Sequence, residues 1–147
     1  MQILEKKRDN FLISTNQELL DLNQTHQMIA ESYWATNIPK DIFERSVRNS
    51  LCFGLYDVNM QIGFARVITD YATFAYLGDV FITSKYRGMG LSKWLMDSIM
   101  EHPDLQGLRR FCLGTKDAHG LYEKYGFESI SNPKNWMEIK IPDIYLR

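Results

Sequence analysis

Asp79-Val-Phe-Ile-Thr-Ser-Lys-Tyr-Arg87-Gly-Met-Gly90-Leu-Ser92-Lys-Trp-Leu95 is the stretch that decides the fold of this chain. An apolar run leads into a basic turn with two glycines, and apolar-periodic positions follow. That order reads as a buried strand, a tight turn and the opening of an amphipathic helix. A strand that feeds a helix through such a turn aims several unpaired backbone N–H groups at one spot. The helix start adds about half a positive charge there, so the spot favours a phosphate. Arg87 and Lys93 place full charges on either side. The expectation is a pyrophosphate cradle built from Arg87, Gly88, Met89, Gly90, Leu91, Ser92 and Lys93.

Working outward, Phe11–Thr15 reads as a strand after a polar start, and Leu19, Leu22, Ile29 and Tyr33 recur at helical spacing. Tyr33-Trp34-Ala-Thr-Asn37 interrupts that spacing. Pro39 suits the start of a second helix, with Asp41 and Glu44 early and Arg45 and Arg48 late, as the helix dipole prefers. Leu51–Tyr56 and Ile62–Ile68 flank a polar connection and read as an antiparallel hairpin. Thr73–Ile82 is apolar on both faces, hence central in a sheet. Leu91, Trp94, Leu95, Ser98 and Ile99 mark the buried stripe of a helix that ends before Pro103. Arg109–Gly114 is a strand, Ala118–Tyr125 a short helix stopped by Gly126. Two further strands are expected near Phe127–Ile130 and Trp136–Ile141. The order β-α-α-β-β-β-α-β-α-β-β is a mixed α/β (α+β) fold with helices over a mainly antiparallel sheet.

The chain has 147 residues, 45% apolar and 24% charged, and residues 1–147 are expected to form a single domain. Seventeen basic against eighteen acidic residues give a net charge of -1, without the basic excess of a general nucleic-acid binder. Cys52 and Cys112 lack framework spacing, which argues for reduced thiols and a cytoplasmic setting. His26, His102 and His119 lie in separate segments, so no metal site is expected. No apolar run approaches the length of a membrane helix, and the charged start does not read as a signal peptide.

Three cofactor chemistries compete for the cradle. A nucleotide P-loop needs Gly-x-x-x-x-Gly-Lys-Ser/Thr, which is absent. A dinucleotide fingerprint needs a third glycine where Lys93 stands. The third is coenzyme A. Arg87-Gly-Met-Gly90-Leu-Ser92 resembles the Arg/Gln-x-x-Gly-x-Gly/Ala signature of the GNAT acetyltransferase superfamily. Ala118-His-Gly-Leu-Tyr122-Glu-Lys-Tyr-Gly126-Phe127 resembles the Ala-x-x-Leu-Tyr-Glu-Lys-x-Gly-Phe segment of the same family. Ser92 departs from the usual Gly or Ala, and Thr115 stands where many members carry Asn.

The resemblance implies the GNAT fold, with a mainly antiparallel sheet flanked by about four helices, and acetyl-CoA as co-substrate without a metal. It implies direct transfer of the acetyl group to a primary amine, here expected on a small molecule. A protein N-terminus or lysine as acceptor, or an acetyl-CoA sensor without turnover, are the alternatives. Homodimers are common in the family. By resemblance Tyr122 is the general acid toward the departing thiolate, and Val80, Phe81 and Ile82 offer backbone groups to the pantetheine arm. The polarised thioester oxygen is expected to meet a backbone N–H in that segment.

Asp79 is the candidate base, because it is the one charge in an otherwise apolar strand; pairing with Arg66 or Arg109 is its alternative reading. Tyr33 and Trp34 are expected to line the acceptor cleft or to cap the core. Asp70 and Tyr76 are expected at its border. Thr115 is a candidate cofactor contact. Lys85 and Lys93 are expected beside phosphates or simply in solvent.

Overall fold

The computed structural model describes residues 2–147. Six strands form one sheet in chain order: β1 (Glu5–Arg8), β2 (Phe11–Ser14), β3 (Leu51–Asp57), β4 (Met60–Thr69), β5 (Phe74–Ile82) and β6 (Arg110–Leu113). Every pairing is antiparallel except the last, in which β6 joins β5 in parallel. The helices are α1 (Leu22–Ala30), α2 (Lys40–Arg48), α3 (Leu91–Met100) and α4 (His119–Glu123).

Local chemistry starts and stops these elements. Asp21 caps α1 by accepting from the Gln24 N–H at 3.0 Å, and its loss would cost about 1 kcal/mol. In α2, Asp41 sits in the first turn and Arg45 and Arg48 in the last, each at the favoured end of the dipole. Gly126, at φ 93°, ends the α4 segment in the left-handed region as expected.

Alternation along the strands separates two cores. On one face Leu51, Phe53, Leu55, Ala65, Val67, Ala75 and Leu77 pack under α3, whose Leu95, Met96 and Ile99 are fully buried. On the other, Cys52 and Phe64 meet Ile29, Phe43 and Val47 of the α1–α2 pair. Burial of one such side chain stabilises by about 1.5–3 kcal/mol, so each helix is fixed by a few residues.

Two expectations fail. Residues 127–130 and 136–141 join no ladder, and the chain there runs through a left-handed Asn132 (φ 55°) and a short 3-10 turn at Pro133–Asn135. Phe127 instead packs its ring against Phe111 and Tyr122. Conversely, Glu5–Arg8, which looks merely polar, pairs with β2 as the edge strand. A row of charges is what a safe sheet edge carries. Among the described residues, no helix is long and apolar enough to cross a membrane.

Candidate functional site

β5 and β6 run side by side from Phe74 and Arg110 to Leu77 and Leu113, and the ladder then stops. β5 continues to Ile82, so from Gly78 onward its edge toward β6 has no strand partner. The two strands part, and α3 begins beyond the far end of β5. The site is built around this opening.

A bulge lies at the point of parting. Arg66 of β4 faces Gly78 and Phe64 faces Phe81, so Asp79 and Val80 stand against Ala65 alone. Asp79 has φ 54°, a left-handed backbone that aspartate tolerates better than most residues. The bulge turns its carboxylate into the protein, where it is 8% exposed. The Trp34 Nε1–H donates to Oδ1 at 2.7 Å and the Arg66 Nε–H donates to Oδ2 at 2.7 Å. Arg66 also donates to the Ser50 hydroxyl at 3.1 Å. Of the two readings of Asp79, the structure shows the ion pair with Arg66, and Arg109 has no part in it.

After Ile82, a 3-10 turn at Ser84–Tyr86 leads to Arg87. The Arg87 Nε–H donates to the Ile82 carbonyl at 3.0 Å and tucks the guanidinium against the strand end. Gly88 (φ 78°) and Gly90 (φ 77°) then turn the chain into α3. A Cβ at either would meet nothing within 4 Å, so the backbone sign, not space, calls for glycine. The first helical bond runs from the Trp94 N–H to the Gly90 carbonyl at 3.1 Å. The N–H groups of Leu91, Ser92 and Lys93 therefore lie ahead of the helix ladder and suit a phosphate.

Tyr122 comes from α4, which is pinned at both ends. The Thr115 hydroxyl accepts from the Ala118 N–H at 3.0 Å, and the Tyr125 hydroxyl lies 3.0 Å from the Lys93 carbonyl and 2.9 Å from the Asp97 carboxylate. Thr115 thus spends its oxygen on starting α4. Tyr122 is 9% exposed; burial raises its phenol pKa above the ordinary value, and nearby Tyr33 adds to the rise.

The break between α1 and α2 brings Tyr33 and Trp34 into the same region. Their rings meet edge-on at 5.0 Å, Trp34 is tied to Asp79, and the Lys116 ammonium sits 5.4 Å from the Tyr33 ring centre. Both rings stay open to solvent, at 61% and 47% exposure. The Tyr76 ring lies over Gly78 and reaches Gly114, where an added Cβ would come within 3.3 Å of its hydroxyl. Asp70 is elsewhere. It closes the β4–β5 turn, about 17 Å along β5 from the bulge. Its Oδ1 accepts from the N–H groups of Ala72, Thr73 and Phe74, and its Oδ2 from the Thr73 hydroxyl. Those bonds, that of the Thr73 hydroxyl foremost, pull its pKa down. The carboxylate belongs to the turn and leaves the acceptor border.

Lys116 also reaches this region, and sequence reasoning did not single it out. It follows Thr115 directly, yet only the folded position of the Tyr33 loop shows what it faces. Cys52 lies in the core near Arg66, and burial pushes its thiol up to about 12. Among the described residues no three His, Cys, Asp or Glu side chains form a metal-holding group.

Residues 48–129 match the family model of the acetyltransferase (GNAT) domain. A protein of Gibberella zeae described as a putative acetyltransferase is 33% identical, over 80% of this chain and 78% of that protein. A crystal structure from Xanthomonas campestris pv. campestris, described as a putative acetyltransferase of the GNAT family, is 51% identical with a TM-score of 0.90. That match covers 92% of this chain and 96% of the other. A GNAT family acetyltransferase of Elizabethkingia anophelis with acetyl-CoA bound has a TM-score of 0.60 over 82% of this chain and 78% of that one. At 15% identity that likeness is one of fold alone.

Proposed function

We propose that this chain, which belongs to the GNAT acetyltransferase family, transfers the acetyl group of acetyl-CoA to a primary amine of a small molecule by direct attack. The observation that carries this reading is the parting of β5 from β6, with the uncapped start of α3 beyond one end and Tyr122 beside it. Acetyl-CoA, when bound, supplies an acetyl thioester whose carbonyl carbon accepts the amine and whose C–S bond breaks.

The chain's own residues have distinct tasks. Gly88 to Lys93 turn backbone N–H groups and the positive end of α3 toward a pyrophosphate. The free edge of Val80–Ile82 offers N–H and C=O groups to an extended amide arm, and one N–H there can meet the thioester oxygen as negative charge develops. Tyr122 is protonated at neutral pH, as any phenol is, and burial disfavours its phenolate further; it donates its O–H proton to the thiolate as it forms and recovers one that the newly acylated nitrogen sheds. Cys52 takes no part as a nucleophile, since a buried thiol of such high pKa holds no thiolate at pH 7.

Asp79 is a positioning residue in this scheme. Each of its oxygens already accepts a hydrogen bond, and through these it fixes Trp34 and Arg66. The amine loses its proton to water on the open side of the cleft, where Tyr33 is exposed. Tyr33, Trp34 and Tyr76 offer aromatic faces to the acceptor, with Lys116 beside them.

A thiol-release assay over small amines, amino acids and peptides tests the reading. Thiol release dependent on a small amine, together with a raised melting temperature in acetyl-CoA, is expected. Release with peptides alone moves the acceptor to a protein N-terminus or lysine. A melting shift without release from any acceptor makes the chain a sensor. Neither release nor shift at millimolar acetyl-CoA ends the proposal.

A further inference from the structure

We propose that the acceptor is an aromatic α-amino acid, with Lys116 taking its carboxylate and the rings of Tyr33 and Trp34 taking its side chain. The inference rests on the acetyl-transfer reading and narrows it from small amines at large to zwitterions.

The charge of the cleft argues for the carboxylate. Asp79 is the acid that could have drawn a cationic amine, but its carboxylate is already engaged. The Arg66 guanidinium pairs with it at 2.7 Å, and the Trp34 indole donates to its other oxygen. Arg66 and Asp79 cancel, and Lys116 is left over. Among the described residues no carboxylate lies within 4.0 Å of its ammonium, that of exposed Asp117, next in the chain, included. A simple ammonium acceptor would therefore meet a like charge in the cleft with nothing to offset it. An α-amino acid brings its own counter-charge, on the carbon next to the amine that reacts.

The position of Lys116 suits that short span. Its backbone belongs to the turn that the Thr115 hydroxyl closes on the Ala118 N–H at 3.0 Å, directly ahead of the helix that holds Tyr122. Its side chain crosses to the break between α1 and α2 and lays the ammonium 5.4 Å from the Tyr33 ring centre. Tyr33 in turn lies close enough to Tyr122 to add to the rise that burial imposes on its phenol. Cation, aromatic wall and general acid thus share one corner of the cleft.

The bare rings argue for the aromatic side chain. Tyr33 and Trp34 are both exposed, yet the loop that displays them is tied down. The Ser32 hydroxyl donates to the Ile29 carbonyl at 2.6 Å and accepts from the Ala35 N–H at 3.2 Å, and the Asn37 N–H donates to the Ala30 carbonyl at 2.9 Å. The two rings meet edge-on, and the bond to Asp79 fixes Trp34. Rings held bare on an ordered loop make a preformed apolar face, and a flat side chain is what such a face buries well.

Thiol release from acetyl-CoA is measured with L-phenylalanine, L-alanine, phenethylamine and L-phenylalaninamide, the last two lacking the carboxylate. L-phenylalanine is expected to give the highest kcat/KM. Lys116→Met is expected to narrow its advantage over the carboxylate-free pair about tenfold, Lys116→Arg to keep it and Lys116→Glu to invert it. Comparing variant with parent cancels the acceptors' own basicity, and a loss of fold would lower all four alike. Tyr33→Ala is expected to narrow the advantage over L-alanine in the same way. A parent that prefers a carboxylate-free acceptor, a preference unmoved by Lys116→Met, or L-alanine as good as L-phenylalanine overturns the proposal while acetyl transfer stands. Release with other amines but none of these four does the same. No release with any acceptor removes the acetyl-transfer reading along with it.

Discussion

Removing the Asp79 carboxylate separates its structural role from a catalytic one. The Arg66–Asp79 pair lies inside the protein, with side-chain exposures of 17% and 8%, so solvent screens it little. Asp79→Ala leaves the guanidinium without its counter-ion, at a cost of about 3–5 kcal/mol. It also places alanine at φ 54°, which adds about 1–2 kcal/mol. The sum, roughly 4–7 kcal/mol, is a large share of the about 5–15 kcal/mol that stabilises an ordinary domain.

Asp79→Asn is the informative partner. Asparagine tolerates the left-handed backbone and keeps an acceptor oxygen for Arg66 or Trp34. The loss is then expected to be about 1–3 kcal/mol, as charge-assisted bonds become neutral ones and one donor goes short. For a chain of this size, that lowers the melting temperature by about 2–12 °C. Urea unfolding measures both variants. Thiol release, at a temperature where the Asn variant is folded, measures turnover. Turnover within a few-fold of the parent, with the same pH profile, is expected of a positioning residue. Loss of about a hundredfold or more together with a flattened acid limb would make the carboxylate the base itself. An alanine variant within 1 kcal/mol of the parent would refute the buried pair.

Tyr122→Phe is expected to lower kcat by about 10²–10⁴-fold while acetyl-CoA affinity stays near that of the parent; unchanged turnover across pH would remove the general acid. Gly90→Glu puts a side chain at φ 77° and a negative charge into the cradle, so the melting shift with acetyl-CoA should vanish, and a retained shift would relocate the pyrophosphate. Burial holds His102 below its ordinary pKa of 6.5, against the opposing pull of Asp104. Below about pH 6.5 the unfolded chain therefore binds more protons than the folded one, and the urea midpoint should fall as the solution is acidified. The raised Tyr122 and Cys52 act in the other direction, giving a second decline above about pH 9; a midpoint that rises toward either extreme contradicts these burials.

The strand, turn and helix from Asp79 to Leu95 were legible because glycine, charge and apolar period all agree there. The Tyr122 helix was legible for the same reason, with Gly126 as its stop. The bulge at Asp79 was not, because it comes from the register between β4 and β5, and nothing in β5 alone marks it. Asp70 misled because aspartate at a turn has a backbone use that sequence cannot separate from a ligand use. Met137–Ile141 has the alternation of a strand, but alternation says which side is apolar and not whether a sheet receives it. Glu5–Arg8 was missed for the reverse reason, since an edge strand of charges shows no apolar rhythm.

The parallel join of β5 to β6 has a consequence for how the molecule assembles. From β3 to β5, neighbours in the sheet are neighbours in the chain, joined by short connections that close quickly. β6 arrives only after the α3 crossover, so its pairing is a late and entropically costly contact. The cleft therefore lies along the seam between the part of the chain that zips locally and the part that docks afterwards. A ligand seated across that seam would act as a clasp, slowing the detachment of β6 and α4 and so the first step of unfolding.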